Sequence, residues 1–254
     1  DTNYQKDKEN VDTGLVDATY LISAVNNMFP DINITIDDIE SSWAGLRPLI
    51  HEEGKSASEL SRKDEIFVSD TELISIAGGK LTGYRKMAER IVDLVAKKYK
   101  RRFDISFNDI KTKDIILSGG DFKNYNEVKS YTDAIQNRIA EVDFNRKDAE
   151  YLVHNYGKQT DVILQKFDDL LHDNMQEKLI KAEVWYSINY EMSCSLTDFF
   201  MRRTGKLFFD TKSVLDYKQL VLEEFTKVFS WDKETSKKQI KELEFHIHKA
   251  TTFN

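Results

Sequence analysis

Two prolines, Pro30 and Pro48, and 10 glycines are all that punctuate 254 residues of this chain. Proline removes a backbone donor and glycine opens left-handed backbone, so a chain poor in both is built from long, uninterrupted elements. Helix is therefore expected to dominate. The length suffices for one large domain or two modest ones, each with a core of its own. A single cysteine, Cys194, excludes an internal disulfide framework and fits a reducing, cytoplasmic setting. With 37 basic against 44 acidic side chains the net charge is −7, unsuited to a general nucleic-acid binder that works by neutralising phosphates. No run of 18 apolar residues predicts a membrane span. The polar opening Asp1-Thr-Asn-Tyr4 has no signal-peptide layout and reads as a cut from something longer.

Along the chain, Leu15, Ala18, Leu21, Ile22, Val25 and Met28 recur at steps of three and four before Pro30 and predict an amphipathic helix. Ile32, Ile34 and Ile36 alternate, predicting a β-like segment. Glu65 to Val68 and Leu73 to Ala77 read as antiparallel strands around the loop Ser69-Asp-Thr-Glu72. The second strand runs into Gly78-Gly79-Lys80-Leu81-Thr82. A helix of about five turns follows, with Tyr84, Met87, Ala88, Ile91, Val92, Val95 and Tyr99 on one face. Beyond Gly119-Gly120 the patterns are helical: Tyr131/Ile135/Ile139, Leu152/Val153/Tyr156, Ile163/Phe167/Leu170, Val184/Ile188/Met192, Val221/Phe225/Val228 and Ile240/Leu243/Ile247. Gly157 and Gly205 stand where helices should end. The expected fold class is α+β: a small mixed portion with antiparallel strands over residues 1–102, a linker over 103–120, and an all-helical domain over 121–254.

The strand, glycine turn and helix form the segment with the clearest chemistry. A helix N-terminus presents unpaired N–H groups and the positive end of the macrodipole, and glycines let a ligand approach the backbone. Lys80 adds a formal cation, so phosphate or developing negative charge is favoured there. The competing reading is structural: Thr82 caps the helix and Lys80 is merely solvated. Arg47 lies in the apolar stretch Trp43-Ala-Gly-Leu-Arg-Pro-Leu-Ile50, where a cation is costly unless it meets an anion. That anion is either a ligand or one of Asp37, Asp38 and Glu40. Arg62 closes the loop before the first strand. If these segments share a sheet, Arg47, Arg62 and Lys80 converge on one phosphate, with each charged hydrogen bond worth roughly 1.5–3 kcal/mol.

Ser42-Trp-Ala-Gly-Leu-Arg-Pro-Leu49, Ser61-Arg-Lys-Asp64 and Ile76-Ala-Gly-Gly-Lys-Leu-Thr-Gly-Tyr-Arg-Lys-Met-Ala88 together resemble the second half of FAD-dependent, aerobic-type glycerol-3-phosphate dehydrogenase. The helical stretch Glu183 to Phe208 is similar to that family's C-terminal cap. The resemblance implies oxidation of glycerol 3-phosphate at C2 to dihydroxyacetone phosphate, with hydride passing to FAD and electrons then to quinone. Arg47, Arg62 and Lys80 match the family's substrate-binding residues. Gly78, Gly79, Lys80, Leu81 and Thr82 match the turn facing the flavin, where a cation and a helix N-terminus favour the anionic reduced ring. No G-x-G-x-x-G follows a strand anywhere, so the main ADP-binding half of an FAD site is missing. The isolated chain is therefore expected to be inactive, and no catalytic residue is assigned. A glycerophosphate oxidase that uses oxygen and a non-catalytic helical interaction module stay open as alternatives. A homodimer and peripheral contact with the inner face of the cell membrane are further expectations.

Other signals carry less. The basic run Lys97-Lys-Tyr-Lys-Arg-Arg102 suits an anionic membrane surface, but more simply closes a helix favourably. Arg202 and Arg203, near Asp198, are expected to hold cap helices by ion pairs. His246 and His248 stand two apart on a helix and point to different sides, so no metal site is read. His51 is expected to be solvated, and Cys194 to fill a small core space.

Overall fold

The computed structural model describes residues 4–46, 50, 64–171 and 174–253. In chain order come helix α1 (Leu15–Met28), strands β1 (Asp64–Val68) and β2 (Ile74–Gly78), and helices α2 (Tyr84–Phe103), α3 (Tyr125–Ile139), α4 (Arg146–Tyr156), α5 (Thr160–Asp169), α6 (Met175–Glu191), α7 (Lys206–Phe209), α8 (Thr211–Phe229) and α9 (Lys233–Thr251). A π-helical segment, Asp198–Arg203, stands between α6 and α7. The α+β class expected from the sequence is what the structure has. Two compact units form, one from Asp1–Val11 with Gly45–Ile116, the other from Asp12–Ala44 with Leu117–Asn254. Residues 12–44, which the sequence reading assigns to the first domain, thus pack with the helical one.

In the first unit β1 and β2 pair antiparallel, with Ile66 opposite Ile76 and Phe67 opposite Ser75. Burial alternates as the pleat requires: Ile66, Ile74 and Ile76 are half-buried, whereas Glu65, Phe67, Ser75 and Ala77 are exposed. The turn is closed by the Leu73 N–H donating to Ser69 Oγ at 3.1 Å. Helix α2 packs against β2 and is tied to the hairpin by an Arg90–Asp64 ion pair. Its basic last turn is neutralised in part by Lys98–Glu72 at 3.3 Å and Lys100–Asp104 at 2.5 Å, in line with the simpler reading of that run. Among the described residues of this unit none is buried.

The second unit holds two apolar clusters with α6 between them. Leu179, Ala182 and Tyr186 face a cluster that includes Ile135, Leu152, Ile163 and Phe167. Ile180 and Val184 face the other, with Phe199, Phe200, Val214, Phe225 and Leu243. Each large apolar side chain fully buried here is worth about 1.5–3 kcal/mol. Side chains of Asn124, Asn145, Asn174, Asp210 and Asp232 cap α3, α4, α6, α8 and α9. Gly157 ends α4 with φ 54°, and a Cβ there would collide with the Gly119 carbonyl oxygen. Gly119, at φ 77°, meets the Tyr156 carbonyl in the same way, so the two glycines let two backbones touch.

Two sequence expectations are corrected. Ile32, Ile34 and Ile36 do not form a strand: the backbone is irregular up to a 3-10 turn at Ile36–Asp38. The Asn26 side chain donates to the Ile34 carbonyl at 2.9 Å and accepts from its N–H at 3.1 Å, supplying the pairing a neighbouring strand would give. Cys194 is exposed rather than packed, because α6 ends at Met192 in left-handed backbone (φ 57°) and turns the chain outward. Among the described residues no helix is long and apolar enough to cross a membrane.

Candidate functional site around the glycine turn

Strand β2 delivers the chain into two consecutive left-handed residues, Gly78 at φ 79° and Gly79 at φ 83°. Gly79 is also closely packed, since a Cβ there would lie 2.8 Å from Met87 Sδ and 3.3 Å from Asp64 Cβ. Any side chain at this position would strain the backbone and push α2 off the base of the hairpin. The turn is therefore shaped by contacts from both neighbouring elements.

After the glycines, Lys80 is extended (φ −105°, ψ 146°) and opens a 3-10 turn, Leu81–Gly83, that leads into α2. No side chain caps either the 3-10 turn or α2. Of the structural alternative, the Thr82 cap is not formed, whereas the solvated Lys80 it expects agrees with the structure. The N–H groups of Leu81 and Thr82 have no acceptor from the first turn of a helix, and both residues are exposed. Lys80 is exposed and, among the described residues, has no ion pair. Nearby cations are paired: Arg85 with Glu89 at 2.8 Å, Lys86 with Glu89, and Arg90 with Asp64. Hydrogen bonds from Lys86 and Arg85 hold the Glu89 carboxyl below its ordinary value. One free ammonium beside free backbone donors on glycine backbone is an arrangement suited to an anionic or electron-rich group.

As a partial flavin seat this fits: glycines for close approach, open N–H donors and a cation. It offers nothing for the adenine and pyrophosphate end. Of the other sequence-predicted site residues, Arg47 and Arg62 lie outside the described residues, as does His51. Their convergence with Lys80 is carried by sequence alone.

In the helical unit, Arg202 bonds Asp198 at 2.9 Å within the π-helical segment, so this ion pair staples one segment rather than joining two helices. Burial lowers His246 below its ordinary value, with Lys249 and Arg202 acting in the same direction and Glu242 opposing. Among the described residues no group of His, Cys, Asp and Glu is arranged to hold a metal.

Sequence reasoning missed a buried polar cluster. Glu183, fully buried in α6, accepts from Tyr151 at 2.7 Å and Tyr156 at 2.8 Å, both on α4, and from Lys206 of α7 at 3.2 Å. Burial foremost, then the Glu183 charge, pushes both phenols well above the ordinary tyrosine value. The only sequence signal was a glutamate among apolar neighbours in Ala182-Glu-Val-Trp185.

Residues 110–236, half of the chain, match the family model described as the C-terminal domain of alpha-glycerophosphate oxidase. The aerobic glycerol-3-phosphate dehydrogenase of Bacillus subtilis (strain 168) is 44% identical over 253 residues, 98% of this chain and 46% of that protein. The protein of the same name from Staphylococcus haemolyticus is 40% identical over 255 residues, again 46% of its length. Among solved structures, the glycerol-3-phosphate dehydrogenase from Bacillus halodurans complexed with FAD matches with TM-score 0.82 and 37% identity, over 99% of this chain and 48% of that one. The chain spans about half the length of the relatives it matches.

Proposed function

The chain belongs to the family of the C-terminal domain of alpha-glycerophosphate oxidase, and from that premise we propose that it is the carboxy-terminal part of an FAD-dependent, quinone-linked sn-glycerol-3-phosphate dehydrogenase. The observation that carries the reading is the exposed, unpaired Lys80 on an uncapped glycine turn, within a segment whose relatives are named for glycerol 3-phosphate. Cytoplasmic work against the inner face of the membrane belongs to the same proposal.

Substrate oxidation removes a hydride from C2 and a proton from its hydroxyl, leaving dihydroxyacetone phosphate. FAD, when bound, supplies the hydride acceptor. Arg47 and Arg62 bind the phosphate through charge-assisted hydrogen bonds. Lys80 holds the substrate and, with the Leu81 and Thr82 N–H groups, presents positive potential toward the flavin side of the turn. Gly78 and Gly79 keep that approach clear. None of these groups is assigned the base, which this reading leaves to the rest of the parent protein.

The test is Lys80→Met in the full-length parent enzyme. Loss of one charge-assisted contact to substrate should lower kcat/KM by roughly tenfold or more, with Lys80→Arg restoring part of it. Unchanged kinetics with glycerol 3-phosphate would remove Lys80 from the site. The second reading, an oxidase, is favoured by the name of the matching family model. Stoichiometric peroxide release in air without added quinone would establish it over the dehydrogenase.

A further inference from the structure

At Gly205 the chain turns through left-handed backbone (φ 66°) into the short helix α7. The first residue of α7 is held from the interior of the helical unit: the Lys206 ammonium lies 3.2 Å from the fully buried Glu183 carboxylate of α6 and 5.1 Å from the centre of the Tyr151 ring. Two residues on, α7 grips a remote piece of chain. The Phe208 carbonyl accepts from Ser41 Oγ at 2.5 Å, and the Trp43 ring packs on those of Phe208 and Phe209 with centroids 5.2 and 5.5 Å apart. Ser42, between them, is bound to α9, its N–H donating to the Ala250 carbonyl at 2.7 Å.

Residues 41–43 belong to neither helix nor strand, so their direction is set by these remote partners rather than by a backbone ladder of their own. The aromatic contact is not core filling, since Trp43 is 60% and Phe209 74% exposed. What it fixes is the course of the chain as it leaves Trp43. Ala44, Gly45 and Leu46 are exposed, and a Cβ on Gly45 would meet nothing within 4 Å. Glycine adds backbone freedom at that point, so restraint has to come from upstream. The next residue in sequence is Arg47.

We propose that Trp43 is a positioning residue for the phosphate of glycerol 3-phosphate, acting through Arg47 and held in place by Phe208 and Phe209 of α7, an inference that rests on the assignment of Arg47 to that phosphate under Proposed function. A guanidinium grips a phosphate through parallel N–H donors, and small errors in its orientation cost much of the contact. The rings of α7 fix the point from which the chain sets out toward Arg47, and Lys206 on Glu183 fixes α7. The helical unit thereby takes part in substrate recognition through the chain itself.

The experiment is steady-state kinetics of the full-length parent enzyme, with thermal melts of each variant. Trp43→Ala and Phe209→Ala remove exposed rings, so Tm should stay near the native value while KM for glycerol 3-phosphate rises at least about fivefold and kcat changes less than about twofold. Trp43→Phe, which keeps a ring on α7, should retain most of the native KM. Leu215→Ala, at an exposed position of α8, should alter neither constant. In an Arg47→Ala background the Trp43 substitution should add nothing further, because the group it positions is gone. A native KM in Trp43→Ala, a loss confined to kcat, a loss that merely follows a fall in Tm, or full additivity with Arg47→Ala would each overturn the proposal. A raised KM in Arg47→Ala with none in Trp43→Ala would overturn this proposal alone, whereas a native KM in Arg47→Ala would overturn the phosphate assignment and this proposal with it.

Discussion

Glu191 closes α6 with a carboxyl oxygen that is buried and has no hydrogen-bond partner. Burial raises its pKa, Glu183 adds to the rise, and Arg203 opposes it without cancelling it. A carboxyl whose folded pKa lies above its unfolded one binds its proton more tightly in the native state. Stability is then greatest below the unfolded value and falls as pH rises through the unfolded and then the folded pKa. At neutral pH ionised Glu191 therefore works against the fold. Glu191→Gln should raise Tm at pH 7–8 and flatten the fall in stability above pH 5, read by thermal melts across pH. A lower Tm at pH 7–8 would show that pairing with Arg203 outweighs the burial. Asp198 behaves oppositely: burial raises it, but the Cys194 N–H, Ser195 and Arg202 together pull it lower. Nothing in Tyr190-Glu-Met192 distinguishes Glu191 from a solvated helix end, whereas the strand, glycine turn and helix around Lys80 could be read from the sequence.

Helix α6 shows why some elements resist a reading from periodicity. With apolar clusters on both sides, Leu179, Ile180, Ala182, Val184 and Tyr186 are all buried and no single stripe survives. Of the Val184/Ile188/Met192 spacing, Val184 and Ile188 find one face of the helix, whereas Met192 lies past its end and is exposed. Helices α3, α4, α8 and α9, each with one core-facing side, are legible for the opposite reason. Glu183 stands in the middle of α6 and links α4 to α7 through two phenols and Lys206. Removing one partner of a buried ion pair leaves an uncompensated charge, at a cost of about 3–5 kcal/mol. Lys206→Met should therefore destabilise the chain strongly in urea unfolding. Adding Glu183→Gln, whose amide oxygen can still accept from Tyr151 and Tyr156, should recover more than about 1 kcal/mol of that loss. Simple additivity of the two single substitutions would show that the ion pair does not couple the helices.

At the scale of the whole molecule, the mixed and helical character of the two parts was legible, and the membership of residues 12–44 was not. Their side chains tell that α1 is a helix without telling which core receives it. The contacts that decide are remote in sequence: Ser42 N–H to the Ala250 carbonyl at 2.7 Å, Lys249 to Asp12 at 2.5 Å, and Trp43 against Phe208 and Phe209 at ring distances of 5.2 and 5.5 Å. Arg47 and Arg62 lie outside the described residues, and their assignment to a phosphate site rests on the sequence argument and the motif resemblance, since single cations carry no periodicity. The unequal burial of the two units has a consequence for local stability. Amide exchange follows the free energy of local opening, which depends on buried apolar contacts. The hairpin and α2 bury no residue completely, whereas α6 alone buries seven. In native-state hydrogen exchange of the isolated chain, the amides of Phe67 and Ser75, paired across the hairpin, should exchange at least about a hundredfold faster than those of Val184 and Tyr186, a difference of ~2.7 kcal/mol in opening free energy. Equal protection in both units would mean that the chain unfolds as one cooperative block and that the hairpin draws its stability from more than its own contacts.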